Sequence, residues 1–255
     1  MAPGRDRRRF GRGPYLLGLR RNMGRWGAGF PYDVPAVAAI EHLRLDAPVT
    51  LLAGDNGTGK STIVEAIAEA LGFDPEGGEL ERSGELPAVP RAALDGALEP
   101  VLSHTRPRTG FFLRAESFFN IARAVDGGGV YAPDLSLYGD VPLHAQSHGE
   151  SFLALAANRF AGESVYVLDE PEAALSVTGA LALVAAMTGA ARDGAQLIVA
   201  THSPVLLACP GARIYELGPD GVTPCAYDDV EAVRLTRAFL DAPERFIRAA
   251  IGELD

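Results

Sequence analysis

Glycine, lysine and serine recur here at a spacing suited to gripping phosphate. Gly54-Asp55-Asn56-Gly57-Thr58-Gly59-Lys60-Ser61 fits the pattern G-x-x-x-x-G-K-[ST], that of a phosphate-binding P-loop. Glycines at 54, 57 and 59 admit backbone torsions that a side chain forbids, so successive N–H groups can turn inward as an anion nest at a helix N-terminus. Lys60 is placed to reach the outer phosphates, and the Ser61 hydroxyl to ligate Mg²⁺. Of the 23 basic side chains, all but Lys60 are Arg, so a compact ammonium is used once, where such a loop needs a point charge.

Further groups lie downstream in a telling order. Asp169 closes an apolar run, where a carboxylate can hold the Mg²⁺ that Ser61 also ligates. Glu170, next to it, is placed to polarise an attacking water. His202 ends the next apolar run and can lie near a γ-phosphate across the carboxyl ends of neighbouring parallel strands. Ahead of these, Ser147-His148-Gly149-Glu150 opens a helical stretch, a second set of amide donors able to meet phosphate. Singly, Asp-Glu after a strand reads as a helix cap, Thr201-His202-Ser203 as a turn and Ser147 to Glu150 as a capping box. Their joint order points to triphosphate chemistry.

The elements that must position these groups are legible around them. Val49 to Ala53 reads as a buried strand leading into the P-loop, and Ser61 to Leu71 as a helix stopped by Gly72. Val165 to Leu168 and Gln196 to Ala200 are apolar runs suited to strands buried on both faces, with a helix over Val177 to Ala191 between them, giving a β-α-β unit and an α/β fold. Strands are also expected over Tyr15 to Leu19 and Gly110 to Arg114, helices over Ser117 to Val125 and Gly149 to Phe160, and a hairpin across Gly218-Pro219-Asp220-Gly221. Two helices close the chain, over Asp229 to Ala242 and Pro243 to Ile251. Residues 74–107, rich in Gly, Pro and Glu, read as a surface insertion carrying one short helix near Arg91 to Ser103.

Composition bounds the rest. The 255 residues, 47% hydrophobic and 22% charged, suit one large domain, and no apolar run approaches the ~20 residues of a membrane span. No signal-peptide pattern is seen, so a cytoplasmic protein without membrane insertion is expected. Cys209 and Cys225 form no C-x-x-C pair and read as structural thiols. Residues 1 to 29 hold eight Arg against Asp6, a +7 segment on a chain whose total is −10. Residues 1–13 are expected to be an Arg-rich disordered tail, either solvated or an arm for DNA or an acidic protein.

At this point the sequence resembles the ATP-binding-cassette (ABC) class of ATPases, and within it the small soluble single-domain ATPases grouped with AAA-type, RecF-like and SMC-like proteins. The residues that carry the resemblance are Gly54 to Thr62 as Walker A, Phe111 to Asn120 around the Q-loop, and Gln146 to Phe152 as the signature. Leu168-Asp169-Glu170-Pro171-Glu172 follows as Walker B, Ala173 to Ser176 as the D-loop and Ala200-Thr201-His202-Ser203-Pro204 as the switch histidine. The resemblance implies an α/β P-loop NTPase, a mixed sheet flanked by helices with a small helical and insertion subdomain. It would form a single domain over 14–255, its signature region at about 117–160.

ATP and Mg²⁺ are the cofactors so implied. Asn56, Gly57, Thr58, Gly59, Lys60, Ser61 and Thr62 would hold the phosphates, with Tyr32 as the adenine platform. Ser61, Asp169 and Glu116 would hold the metal, Glu116 standing where transporter cassettes have Gln. Lys60, Glu170 and His202 would carry catalysis. In this class a second subunit closes over the nucleotide, so Ser147 and the Gly149 amide would reach the γ-phosphate in trans, in a head-to-tail, ATP-dependent homodimer that switches an effector protein. DNA maintenance or defence is the process expected; a nucleotide sensor with little turnover and the ATPase subunit of a membrane transporter are the alternatives.

Overall fold

A computed structural model describes residues 9–75, 77–80, 93–114 and 148–253. In chain order its strands are β1 (Arg9–Phe10), β2 (Leu16–Arg21), β3 (His42–Arg44), β4 (Val49–Ala53), β5 (Gly78–Glu79), β6 (Leu98–Leu102), β7 (Thr105–Arg106) and β8 (Thr109–Arg114). Then come β9 (Ser164–Asp169), β10 (Gln196–Thr201), β11 (Arg213–Gly218) and β12 (Gly221–Cys225). The longer helices are α1 (Lys60–Leu71), α2 (His148–Arg159), α3 (Val177–Arg192), α4 (Glu231–Asp241) and α5 (Pro243–Ala250).

Seven strands form one mixed sheet in the order β12-β11-β4-β10-β9-β8-β5. The five inner strands are parallel, and β12 and β5 close the edges antiparallel. Alternate residues of the inner strands serve two cores. Leu52, Val165, Val167, Ile198 and Phe112 face the one that takes Ile63 and Ile67 of α1. Leu51, Tyr166, Leu168, Leu197, Val199 and Phe111 face the one that takes Leu183 and Met187 of α3. Helices on both faces leave no wet side, which is why these strands are apolar runs and not alternating patterns.

Other expectations needed correction. Residues 9–13, expected to be part of a disordered tail, are held in place: Arg9 and Phe10 pair with Thr105 and Arg106, the Gly13 N–H donates to the Gly194 carbonyl at 2.7 Å, and Arg12 donates to the Arg192 carbonyl. The stretch 74–107 is no mere surface insertion either. It supplies β5 to the main sheet and β6 to a second, three-stranded antiparallel sheet of order β3-β2-β6. Among the described residues of the span near 91–103 helix covers Ala93–Gly96, and Leu98 to Leu102 are strand because β2 offers them a free edge. The helix expected over Ser117 to Val125 lies outside the described residues.

A buried side chain helps to join the two sheets. Gln196 opens β10 fully buried, and its Oε1 accepts from the N–H groups of Tyr15 (2.8 Å) and Leu16 (3.0 Å). Its Nε2 donates to the carbonyls of Leu16 (2.8 Å) and Leu45 (2.7 Å). All four hydrogen-bonding positions of the amide are filled. Gln196→Leu strands four buried backbone groups at about 1 kcal/mol or more each, so a loss of about 3 kcal/mol or more is expected in urea unfolding. A loss below about 1 kcal/mol would mean that the remaining contacts, apolar packing and the Tyr215 hydroxyl donating to the Arg44 carbonyl at 2.9 Å, are enough to seat the small sheet.

Candidate nucleotide site

The parallel register lines up the carboxyl ends of four strands. Thr201 pairs with Ala53, Ala200 with Asp169, and Asp169 with Arg114. The loop after β4, the acids after β9, the histidine after β10 and the arginine ending β8 therefore stand in one row, where ligands of open α/β sheets bind.

Between β4 and α1 the loop turns through Gly59, the residue capping α1, at φ 98° and ψ 12°. A side chain there would meet the Val34 Cγ1 atom at 2.8 Å, so glycine is needed for both conformation and space. A cavity of about 410 Å³ opens over this loop, lined by Asn56, Gly57, Gly59, Lys60, Ser61 and Thr62 on one side and Arg114, Asp169 and Glu170 on the other. Its volume suits a small organic ligand. Thr58, expected among the phosphate ligands, uses its hydroxyl within the loop, donating to the Asp55 carbonyl at 2.8 Å.

Lys60 is 3% exposed, and Nζ donates to the carbonyls of Gly54 (2.8 Å) and Asp55 (3.0 Å). Its charge is met by Glu170, whose Oε1 lies 3.3 Å away. Glu170 has left-handed torsions, φ 49° and ψ 51°, and its N–H donates to the Ala200 carbonyl at 3.0 Å. A non-glycine residue held this way costs about 1–2 kcal/mol, a burden typical of functional positions.

Ser61 and Asp169 meet directly, Oγ donating to Oδ1 at 3.3 Å. Burial pushes the Asp169 carboxyl up to about 6, against the Ser61 hydrogen bond, which lowers it; Glu170 adds to the rise and Arg114 opposes it. An oxygen-only pair of this kind, buried and costly to ionise alone, fits a hard divalent cation such as Mg²⁺. Among the described residues no group of three or more His, Cys, Asp or Glu stands together as a metal cluster. Glu116, expected as a metal ligand, lies outside the described residues.

His202 is half exposed, with Nδ1 3.7 Å from Glu170 Oε1 and 3.6 Å from Glu172 Oε1. Glu172 was given no role from the sequence, yet it builds this turn. Its Oε1 accepts from the Thr201 hydroxyl (2.5 Å) and from the N–H groups of His202 (2.8 Å) and Ser203 (3.1 Å). A third acid directly after Asp169-Glu170-Pro171 was the available signal, for acids so placed need donors.

Tyr32, expected as the adenine platform, is not among the residues that line this cavity. Tyr32 is engaged elsewhere, its ring edge-on to Trp26 at 5.4 Å between centroids and its hydroxyl donating to the Leu94 carbonyl at 3.3 Å. Phe30, 79% exposed, lines the cavity together with Val34. Ser147 lies outside the described residues. Gly149 does not line this cavity: it sits in the first turn of α2, where a side chain would meet the Ala174 carbonyl at 2.7 Å, and borders a separate groove with Leu175 and Ser176.

Comparison with known proteins bears on the family. Residues 39–92 match a family model described as an AAA domain, and residues 136–208 match an AAA-domain model named for the AbiEii toxin of a type IV TA system. The chain is 34% identical over 173 residues to the cytochrome c biogenesis ATP-binding export protein CcmA of Paracoccus denitrificans, covering 66% of this chain and 75% of that protein. The CcmA protein of Gluconobacter oxydans is 31% identical over 183 residues, covering 69% and 77%. A crystal structure of an ATP-binding cassette of an ABC transporter, in its ADP conformation, superposes with a TM-score of 0.48 at 13% identity, covering 90% of this chain and 98% of that one. On the strength of the two CcmA relatives, the matching family models and the P-loop described above, the chain belongs to the ABC/AAA-type P-loop ATPase family.

Proposed function

We propose that this ATPase binds ATP with Mg²⁺ in the cavity over the P-loop and hydrolyses it in a site that a second copy of the chain completes. The observation that carries the reading is the meeting of Ser61 with Asp169 and of Lys60 with Glu170, each at 3.3 Å, between groups far apart in sequence. In this reading the P-loop amides and Lys60 hold the β- and γ-phosphates. Ser61 and Asp169 would hold Mg²⁺, which when bound neutralises charge on the phosphate oxygens. Glu170 takes a proton from the attacking water as its oxygen bonds to the γ-phosphorus and the bond to the ADP oxygen breaks. His202, whose Nδ1 is 3.7 Å from Glu170 Oε1, lines a neighbouring groove with Asn56 and would turn toward the terminal phosphate once nucleotide is held.

The second copy is supported by the exposure of the cavity and by the family's expected head-to-tail arrangement, with Ser147 and the Gly149 amide contributed in trans. Dimer formation and release would then switch an effector protein. The test is phosphate release together with solution mass, with and without ATP and Mg²⁺. Turnover accompanied by ATP-dependent doubling of mass supports the reading; a monomer that hydrolyses ATP at full rate removes the dimer from it.

Base recognition is assigned to Phe30 in place of Tyr32. Stacking of a base on an aromatic ring contributes about 1–3 kcal/mol, so Phe30→Ala is expected to weaken ATP binding about tenfold. Tyr32→Phe is expected to leave it unchanged, and the reverse pattern in a titration would restore the tyrosine.

A second reading has its own support: the relatives in Paracoccus and Gluconobacter are named as export proteins. As the ATPase subunit of such a complex the chain would dock on a membrane partner, since no described helix is long and apolar enough to cross a membrane. Co-sedimentation with membranes in its own cell, lost at high salt, distinguishes this from a free switch. A DNA partner has no support from the similarities and is not proposed.

A further inference from the structure

Arg114 has no part in the roles given above. It ends β8 opposite Asp169 in the parallel ladder, and it lines the cavity with Ser61, Asp169 and Glu170, at the end where the terminal phosphate would sit. Its Nη2 lies 2.8 Å from Glu65 Oε1, and its Nη1 donates to the Pro75 carbonyl at 3.3 Å. Glu65 is one helical turn beyond Ser61 on α1, so its carboxylate rises on the same face as the Ser61 hydroxyl.

The pair is built to be broken. The Arg114 side chain is 23% exposed and that of Glu65 39%, and part-exposed ion pairs hold weakly. A terminal phosphate carries more charge than one carboxylate and suits the planar guanidinium at least as well. Lys60, the other cation that lines this cavity among the described residues, is buried among two loop carbonyls and Glu170. Arg114 is therefore the cation whose anionic partner can be exchanged.

We infer that Arg114 is a specificity-determining residue that counts phosphates: it leaves Glu65 for the terminal phosphate of a nucleoside triphosphate and returns to Glu65 when only the diphosphate is held. This rests on the ATP site proposed above and adds to it the means of telling ATP from ADP. Glu65 acts as the competitor that keeps the arginine away from the diphosphate.

Calorimetric titration with β,γ-imido ATP and with ADP, both with Mg²⁺, tests this on the full chain. Arg114→Gln is expected to weaken binding of the triphosphate analogue about tenfold or more while ADP stays within about twofold. Glu65→Gln is expected to act in the opposite direction, tightening the analogue severalfold, because the competitor is gone. Arg114→Lys, which keeps the charge, should fall between. Equal losses for both nucleotides, or a weaker triphosphate complex in Glu65→Gln, would overturn the inference in favour of a packing role. If Arg114→Gln fails to fold, the sign of the Glu65→Gln effect decides alone. A wild-type protein that binds neither nucleotide removes the ATP site and this inference together; a wild type that prefers the triphosphate, with the preference intact in Arg114→Gln, removes this inference only.

Discussion

Glu170→Gln is expected to cut phosphate release by about a hundredfold or more while ATP binding is kept. The amide cannot take the proton that a positioned carboxylate accepts, a contribution typically worth about 10²–10⁴ in rate. The fold should survive the change. The Glu170 N–H to Ala200 carbonyl bond is backbone, and glutamine meets the left-handed torsions at a cost similar to glutamate. Lys60 loses the partner 3.3 Å away but keeps the carbonyls of Gly54 and Asp55. Under the dimer reading the variant should also accumulate as an ATP-bound pair, visible by light scattering. A variant that releases phosphate at the wild-type rate would show that Glu170 is only the electrostatic partner of Lys60.

Magnesium-dependent nucleotide binding should fade as the pH falls through about 6. The Asp169 carboxyl, raised from 3.8 to about 6 chiefly by burial, must lose its proton before it can ligate a metal. Below that point, affinity for the metal should drop about tenfold per pH unit. The stability of the nucleotide-free protein carries the opposite sign. A folded-state value above the unfolded one means that the native state holds the proton longer, so stability is lost as the pH rises from about 4 to about 6. The shift corresponds to at most about 3 kcal/mol. Asp169→Asn should remove this slope, making the nucleotide-free protein more stable than wild type above pH 6, and should abolish the magnesium dependence. Thermal melts across pH 4.5–8, with and without Mg²⁺ and ATP, read both effects. Persistence of metal-dependent binding in Asp169→Asn would place the ion elsewhere.

Short-range patterns carried most of the α/β core. The β4–loop–α1 segment, β9 with Asp169-Glu170, and β10 with His202 were legible because strands buried on both faces must be apolar throughout, and because a P-loop needs glycine where side chains collide. The small antiparallel sheet was not legible. Leu98 to Leu102 pair with β2 some 80 positions earlier, and a strand whose partner is so remote leaves no local period to read. The same distance hid Gln196, an ordinary polar residue in sequence, whose four partners at Tyr15, Leu16 and Leu45 exist only once the sheets meet.

What the sequence by itself determined is therefore the chemistry available: one lysine in a glycine loop, a hydroxyl after it, and two acids and a histidine at the ends of apolar runs. What tertiary structure alone decided is which groups meet. It set Ser61 against Asp169 and Glu170 against Lys60, gave Glu172 to the His202 turn, exchanged Tyr32 for Phe30 at the cavity and brought Arg114 to Glu65. The physical reason is that residue type and spacing constrain the backbone over a few positions, whereas the partner of a side chain is set by strand order and register, which depend on the whole chain at once.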